Sequence, residues 1–224
     1  MSELSDIVAV GLDLKPKTLV RAYSQGVFPW PTPGLPLLWY SPQNRAILSF
    51  DKLHVPKRLI QYLNKSSWTF TINRAFPKVI QACSERGDEG TWIIPEMKLA
   101  YTELFALGYA HSVEVWDGKV LVGGLYGVDV GGSFAGESMF HSVSNASKAA
   151  VLFAVAMLKR AGRTYMDIQV MSEHMKAMGA HEISRSQFQK RLTNAQDLIK
   201  KCGPSLPFAD KIEFRYCDFS SNIV

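Results

Sequence analysis

No apolar run in this 224-residue chain reaches the roughly 18 residues that a membrane-spanning helix needs. The longest, Ala149 to Leu158, is about half that length. Cysteine is scarce: Cys83, Cys202 and Cys217 are odd in number, scattered, and without metal-ligand spacing. That argues against a disulfide framework and for free thiols in a reducing compartment. No histidine pair has zinc-ligand spacing; His174 and His181 stand seven apart. Neither a Walker-type loop nor a GxGxxG run is present. The opening MSELSDIVAVGLDL lacks the basic n-region of a signal peptide. The expectation is a cytoplasmic protein with no membrane partner, no metal and no cofactor.

What is present is a chain able to build a core, with 47% hydrophobic residues, 11% aromatic residues and five tryptophans. The net charge is +5 and the pI about 9.1. A basic balance suits an anionic partner such as RNA, and suits a solvated surface equally well. Lys57 and Arg58 follow His54, and Lys190, Arg191, Lys200 and Lys201 share a C-terminal helical pattern. There is no arginine-rich arm and no RNP-type aromatic motif, so RNA would meet a surface patch.

Two textures divide the chain: a small N-terminal domain over 1–45 and a larger domain over 46–224. In the first, Lys15-Pro16-Lys17 and TLVRAYSQG read as a short helix ending at Gly26. Val27 to Pro36 carries four prolines and a glycine, which predicts an irregular loop. That loop and its sequel hold Phe28, Trp30 and Trp39. They serve either as a flap packing one domain on the other or as an aromatic wall for a substrate.

The second domain alternates strands and helices. Strands are expected at Arg45–Phe50 and Trp68–Ile72, and helices at Val55–Leu63, at Ala75–Ser84 with Asn73 as a cap, and from Pro95 to Leu107. Arg86 to Gly90 reads as a polar loop. Ser112–Trp116 and Lys119–Val128 form a hairpin around Asp117-Gly118, and Ser133–Met139 follows after a second turn. Gly123-Gly124 and Gly131-Gly132 are read as hairpin glycines. A buried helix runs from Asn145, as its start, to Arg160. Then come a strand carrying Asp167, helices at Ser172–Met178 and Ser186–Lys200, and a closing strand at Ile212–Tyr216. This order gives an α/β (α+β) class and matches the acyl-CoA N-acyltransferase-like (GNAT) fold. The turn before the buried helix, His141 to Lys148, has no glycine to let backbone N–H groups cradle a pyrophosphate, so coenzyme A is disfavoured.

The candidate chemistry lies between Gly131 and Gln169. Glu137 sits between small residues, in Gly136-Glu137-Ser138. Asp167 and Gln169 alternate with apolar Met166, Ile168 and Val170, which predicts an acid and an amide on one strand face. A buried carboxylate is costly unless paired, hydrogen-bonded or functional. From spacing alone, a structural hydrogen-bond network and an active site remain equally open.

Many separate blocks occur here in one order. They are Phe28-Pro29-Trp30, Trp39-Tyr40-Ser41-Pro42, Glu89-Gly90-Thr91-Trp92-Ile93, His111 to Trp116, Gly123 to Val128, Gly136 to Phe140, Asn145 to Lys148, Asp167-Ile168-Gln169, and Met178 to Arg185. The set closely resembles the bacterial leucyl/phenylalanyl-tRNA–protein transferases over nearly the whole chain. The resemblance implies transfer of leucine, phenylalanine or methionine from aminoacyl-tRNA to the N-terminal Arg or Lys of acceptor proteins. That reaction belongs to the N-end rule degradation pathway, and a monomer is expected. It also implies site roles. Asp167 would be the base or charge partner of the attacking amine, Gln169 its orienter, and Glu137 the holder of a cationic group. Leu125, Phe134, Val151, Ala154 and Met166 would line the aminoacyl pocket. Trp30 and Trp92 would stack on the terminal adenosine or wall that pocket. Another aminoacyl-tRNA-dependent acyltransferase of the same fold, or a non-catalytic RNA-binding protein, remains the alternative. The chain departs from the family pattern at Gly11-Leu12-Asp13-Leu14, at Ser41-Pro42-Gln43-Asn44-Arg45, and in the small Val151 and Ala154.

Overall fold

A computed structural model describes residues 3–85, 91–202 and 213–223. The loop expected at Arg86–Gly90, the Ile212 start of the last strand and the side chain of Cys202 lie outside the described residues. Two sheets and seven α-helices are present among the described residues. None of those helices is long and apolar enough to cross a membrane.

The N-terminal segment builds β1 (Ile7–Val10), helix α1 (Pro16–Ser24), β2 (Phe28–Trp30) and β3 (Leu38–Tyr40). The three strands form an antiparallel sheet in the order β1-β3-β2. The irregular loop expected from the prolines holds over residues 31–37, and the strand at Phe28–Trp30 is the correction to it. Pro29 is tolerated because β2 is an edge strand, where a missing N–H costs no ladder bond on the open side.

The larger sheet is assembled from β4 (Asn44–Ser49), β5 (Thr69–Ile72), β6 (Ala110–Asp117), β7 (Val120–Val130), β8 (Ser133–His141), β9 (Tyr165–Gln169), β10 (His181–Ser184) and β11 (Phe214–Arg215). Its order is β10-β4-β9-β8-β7-β6-β5-β11, and it is antiparallel except between β8 and β9. The hairpin around Asp117-Gly118 forms as expected, with Gly118 at φ +57. Gly123 and Gly124, however, lie inside β7 and not in a turn. A Cβ on Gly123 would come within 2.5 Å of the Ala146 Cβ, so the absent side chain lets the long buried helix press onto the sheet.

That helix is α5 (Ala146–Arg160), buried on every side from Ala149 to Leu158. It shares one core with Val113, Val115 and Leu125. The opposite face of the sheet, through Tyr126 and Val128, meets α3 (Phe76–Ser84), α4 (Pro95–Ala106) and α1. Helices α2 (Lys57–Lys65), α6 (Glu173–Ala177) and α7 (Arg185–Cys202) complete the set. One expected cap differs: Asn73 takes φ +58 and accepts the Ser112 N–H, outside α3. Asn145 stands at the N-cap of α5 as expected, at φ +74 and without a side-chain cap bond. The buried face of α3's start is served by Glu114, which accepts the Ala75 N–H at 3.1 Å.

Candidate active site

The pairing of β8 with β9 holds at one register point, Ala135↔Asp167. Beyond it, Gly136–Met139 of β8 and Ile168–Val170 at the end of β9 line a cavity of about 340 Å³, within the range of small-molecule sites. Both strands are irregular there. Tyr126 pairs with Ser138 and Gly127 with Gly136, so Glu137 is the extra, bulged residue. On β9, Gln169 pairs with Ala46 and Asp167 with Ile47, which leaves Ile168 as the extra one. Bulges re-aim side chains, and here they turn Glu137 and Gln169 into the cavity. Gln169 also takes φ +62, a left-handed conformation rare outside glycine.

This overturns the expectation that Asp167 and Gln169 share a face. Simple alternation fails because Ile168 is bulged and Gln169 is left-handed. Gln169 lines the cavity; Asp167 does not. The Arg45 guanidinium holds Asp167 in a two-pronged pair, Nε donating to Oδ1 at 2.8 Å and Nη2 to Oδ2 at 2.6 Å. Both residues are buried, at 1% and 3% exposure. Asp167 Oδ1 also accepts the Gln169 backbone N–H at 3.0 Å. Val170, expected to be buried, is 51% exposed at the cavity's rim.

The carboxyl that faces the cavity is Glu137. Gln169 Nε2 donates to its Oε1 at 2.6 Å, Tyr23 Oη to Oε1 at 2.8 Å, and Tyr101 Oη to Oε2 at 3.1 Å. The two phenol oxygens are themselves 2.6 Å apart. The triangle of carboxyl and phenols therefore has three oxygen–oxygen contacts and only two phenolic hydrogens. A third hydrogen is at hand only when the carboxyl is protonated, so the neutral acid satisfies every contact. Burial acts in the same direction. It pushes the Glu137 carboxyl up to about 7, against the lowering effect of the Tyr23, Gln169 and Tyr101 donors, with the nearby Asp167 charge adding to the rise. Burial, followed by the Glu137 charge, raises both phenols well above their ordinary range. A carboxyl that exchanges its proton near neutral pH is suited to proton transfer.

Ser138 and Ser172 also line the cavity, and the remaining side chains of the wall are apolar. Trp30, Trp92, Leu125, Val151 and Met166, which the resemblance implies for the pocket, line the cavity. Phe134 and Ala154 do not line it. They are 1% and 0% exposed, and belong to the core that also contains Leu125, Val151 and Met166. Trp30 and Trp92 stack on each other, with centroids 5.6 Å apart and planes 20° apart, at the side where the N-terminal sheet meets the cavity.

Sequence reasoning missed Tyr23, Tyr101 and Arg45. They converge on the site from 114, 36 and 122 residues away, and no local pattern marks them. It also missed Met139, Met171 and Met175, which join Met166 in the wall. The clustering of methionine from Met166 to Met178 was the available signal.

Comparison with known proteins agrees with this architecture. The family described as leucyl/phenylalanyl-tRNA protein transferase matches residues 47–193, and its N-terminal domain matches residues 12–43. Curated relatives named leucyl/phenylalanyl-tRNA–protein transferase are similar along most of their length. One from Proteus mirabilis is 46% identical over 90% of this chain and 88% of its own. One from a Shewanella species is 44% identical over 91% and 86%, and one from Nitratidesulfovibrio vulgaris 46% identical over 81% and 79%.

Proposed function

This chain belongs to the leucyl/phenylalanyl-tRNA–protein transferase family, and we propose from that premise that it moves leucine, phenylalanine or methionine from aminoacyl-tRNA to the N-terminal Arg or Lys of acceptor proteins. The reaction would serve N-end rule degradation, in the cytoplasm, by a monomer. The observation that carries this reading is a single carboxyl, poised near neutral pH, in the wall of a mostly apolar cavity flanked by stacked indoles.

The donor is an activated ester, so the chemistry needs no ATP. The acceptor's α-amine attacks the ester carbonyl; a C–N bond forms and the C–O bond to the terminal ribose breaks. The ribose oxygen leaves with one proton. An amine that arrives as ammonium must lose another before it can attack. Glu137 takes that proton, and its two phenol partners hold it. Gln169 orients Glu137 through Nε2, and Asp167 fixes Gln169 through its backbone N–H. The role of base expected for Asp167 is thus assigned to Glu137, because Arg45 already neutralises Asp167.

The donor's side chain enters among Leu125, Val151, Met166 and the further methionines, with Phe134 and Ala154 packed behind them. Methionine is unbranched and adaptable, which suits a pocket that accepts leucine, methionine and phenylalanine. β-Branched side chains would be excluded by shape. The terminal adenosine would stack against Trp30 or Trp92. The meander β6–β7–β8, the buried α5 and the parallel return of β9 support a GNAT-like assignment for 46–224, with 1–45 as the smaller domain that supplies Tyr23 and Trp30.

The test is transfer of radiolabelled leucine from leucyl-tRNA to an Arg-starting peptide, without ATP or coenzyme A, with Glu137→Gln as control. Label in the peptide that disappears in the variant is the expected result. Tight tRNA binding with no transfer of any of the three amino acids would instead point to an RNA-binding protein.

A further inference from the structure

The three side chains that donate to Glu137 come from three elements: Tyr23 from α1, Tyr101 from α4 and Gln169 from the end of β9. Two of these three trace back to one guanidinium. Arg45 holds both oxygens of Asp167, which in turn accepts the Gln169 N–H and so keeps that residue in its left-handed turn toward Glu137. The third direction of the same fork, Nη1, donates to the Gly26 carbonyl at 3.0 Å. Gly26 follows the C-cap of α1, Gln25, and its N–H donates to the Tyr23 carbonyl at 3.0 Å. The guanidinium lies between two aromatic rings, 4.8 Å from the Phe28 centroid and 4.5 Å from that of Phe188 on α7. Its plane and position are therefore fixed on every side.

We propose that Arg45 is a positioning residue for the transfer reaction, locking α1 and the end of β9 together so that Tyr23 and Gln169 meet on Glu137. This rests on the functional reading above. Lysine cannot replace it, because a point ammonium has no planar fork to satisfy two carboxylate oxygens and a carbonyl at once. The ionisable groups around Glu137 are Tyr23 from α1, Tyr101 from α4 and Asp167 from β9, the last with Arg45 behind it. Loosening the clamp weakens two donors to the carboxylate and exposes it more to the Asp167 charge; both effects favour the protonated acid.

Arg45→Lys and Phe188→Leu, which keeps an apolar side chain but removes the ring, should be compared with wild type in two assays. The first is kcat and KM for leucine transfer. The second is the titration of the Glu137 carboxyl by 13C NMR, which needs no turnover. In Arg45→Lys, kcat should fall about 10- to 100-fold, KM for leucyl-tRNA should stay within about twofold, and the carboxyl midpoint should move to higher pH. Phe188→Leu should move kcat and midpoint the same way, by a smaller amount. A folded Arg45→Lys protein with wild-type kcat and midpoint overturns the proposal, as does a change confined to KM. If Arg45→Lys does not fold, Phe188→Leu decides: a wild-type kcat and midpoint there also overturn it. If wild type itself transfers nothing, the functional reading falls separately, and the carboxyl titration still decides whether Arg45 controls Glu137.

Discussion

Replacing Glu137 by glutamine should stabilise the protein while abolishing its chemistry, and the size of the stabilisation should depend on pH. The Glu137 carboxyl, ordinarily near 4.5, is pushed by burial to about 7 in the folded chain. Between those values the unfolded chain has released the proton that the folded chain still holds. Stability from this group is therefore fully present below about 4.5 and is lost as pH rises through about 7. At about 1.4 kcal/mol per pH unit, the full loss is on the order of 3 kcal/mol. Glutamine keeps the shape and carries no titrating proton. Its carbonyl can accept from Tyr23 and Gln169, and its amide can donate to Tyr101, whose own hydrogen can turn to the Tyr23 oxygen 2.6 Å away. The assay is urea or thermal unfolding of both proteins from pH 4.5 to 8.5. Taking the difference between the two proteins cancels the other titrating groups. The variant's advantage over its own value at pH 4.5 should grow to about 2–3 kcal/mol at pH 8, roughly 5–10 °C for a chain of this size. Stability curves that run parallel across the range would refute the assignment of a retained proton to Glu137. The same variant should transfer leucine at least about 100-fold more slowly, the usual scale for losing a general base.

Three further outcomes follow from the same geometry. The rate of transfer against pH should rise through an apparent midpoint near 7, because Glu137 must be ionised to take a proton; a rate flat between pH 5.5 and 8 would contradict this. Tyr23→Phe removes one of the donors that lower Glu137, so that midpoint should move to higher pH, with a stability loss of about 1 kcal/mol measured by urea unfolding. Leu125→Ala, at a wall position only 3% exposed, should cost about 2–4 kcal/mol in stability and raise the phenylalanine-to-leucine ratio in competition transfer assays; an unchanged ratio would place the aminoacyl pocket elsewhere.

Local signals made much of the fold readable. Helix α5 was legible because apolar residues fill every side of it, which only a central helix can bury. The β6–β7 hairpin was legible because Gly118 takes, at φ +57, the left-handed conformation that other residues resist. Strands β2 and β3 were not, since prolines read as loop unless one knows that an edge lies there. Strand β10, four residues with alternating partial burial, is held by pairing with β4 and has little propensity signal of its own.

The candidate site divides in the same way. Local sequence marked Glu137, Gln169 and Trp30, the family resemblance added Trp92, Leu125, Val151 and Met166, and the structure brings all of them to one cavity. Phe134 and Ala154 do not line it, because they are fully buried in the core they share with Leu125, Val151 and Met166.

The sequence by itself determined the class of fold, the buried helix, the chemistry-bearing residue types and the family. Only the tertiary structure decided which carboxyl faces the cavity. One extra residue in β8 and one in β9, each invisible to a two-residue period, turn Glu137 toward the cavity and leave Asp167 to Arg45. The partners that settle the matter, Arg45, Tyr23 and Tyr101, are remote in sequence. Proton affinity is a property of what surrounds a group, and those surroundings exist only after the chain has folded.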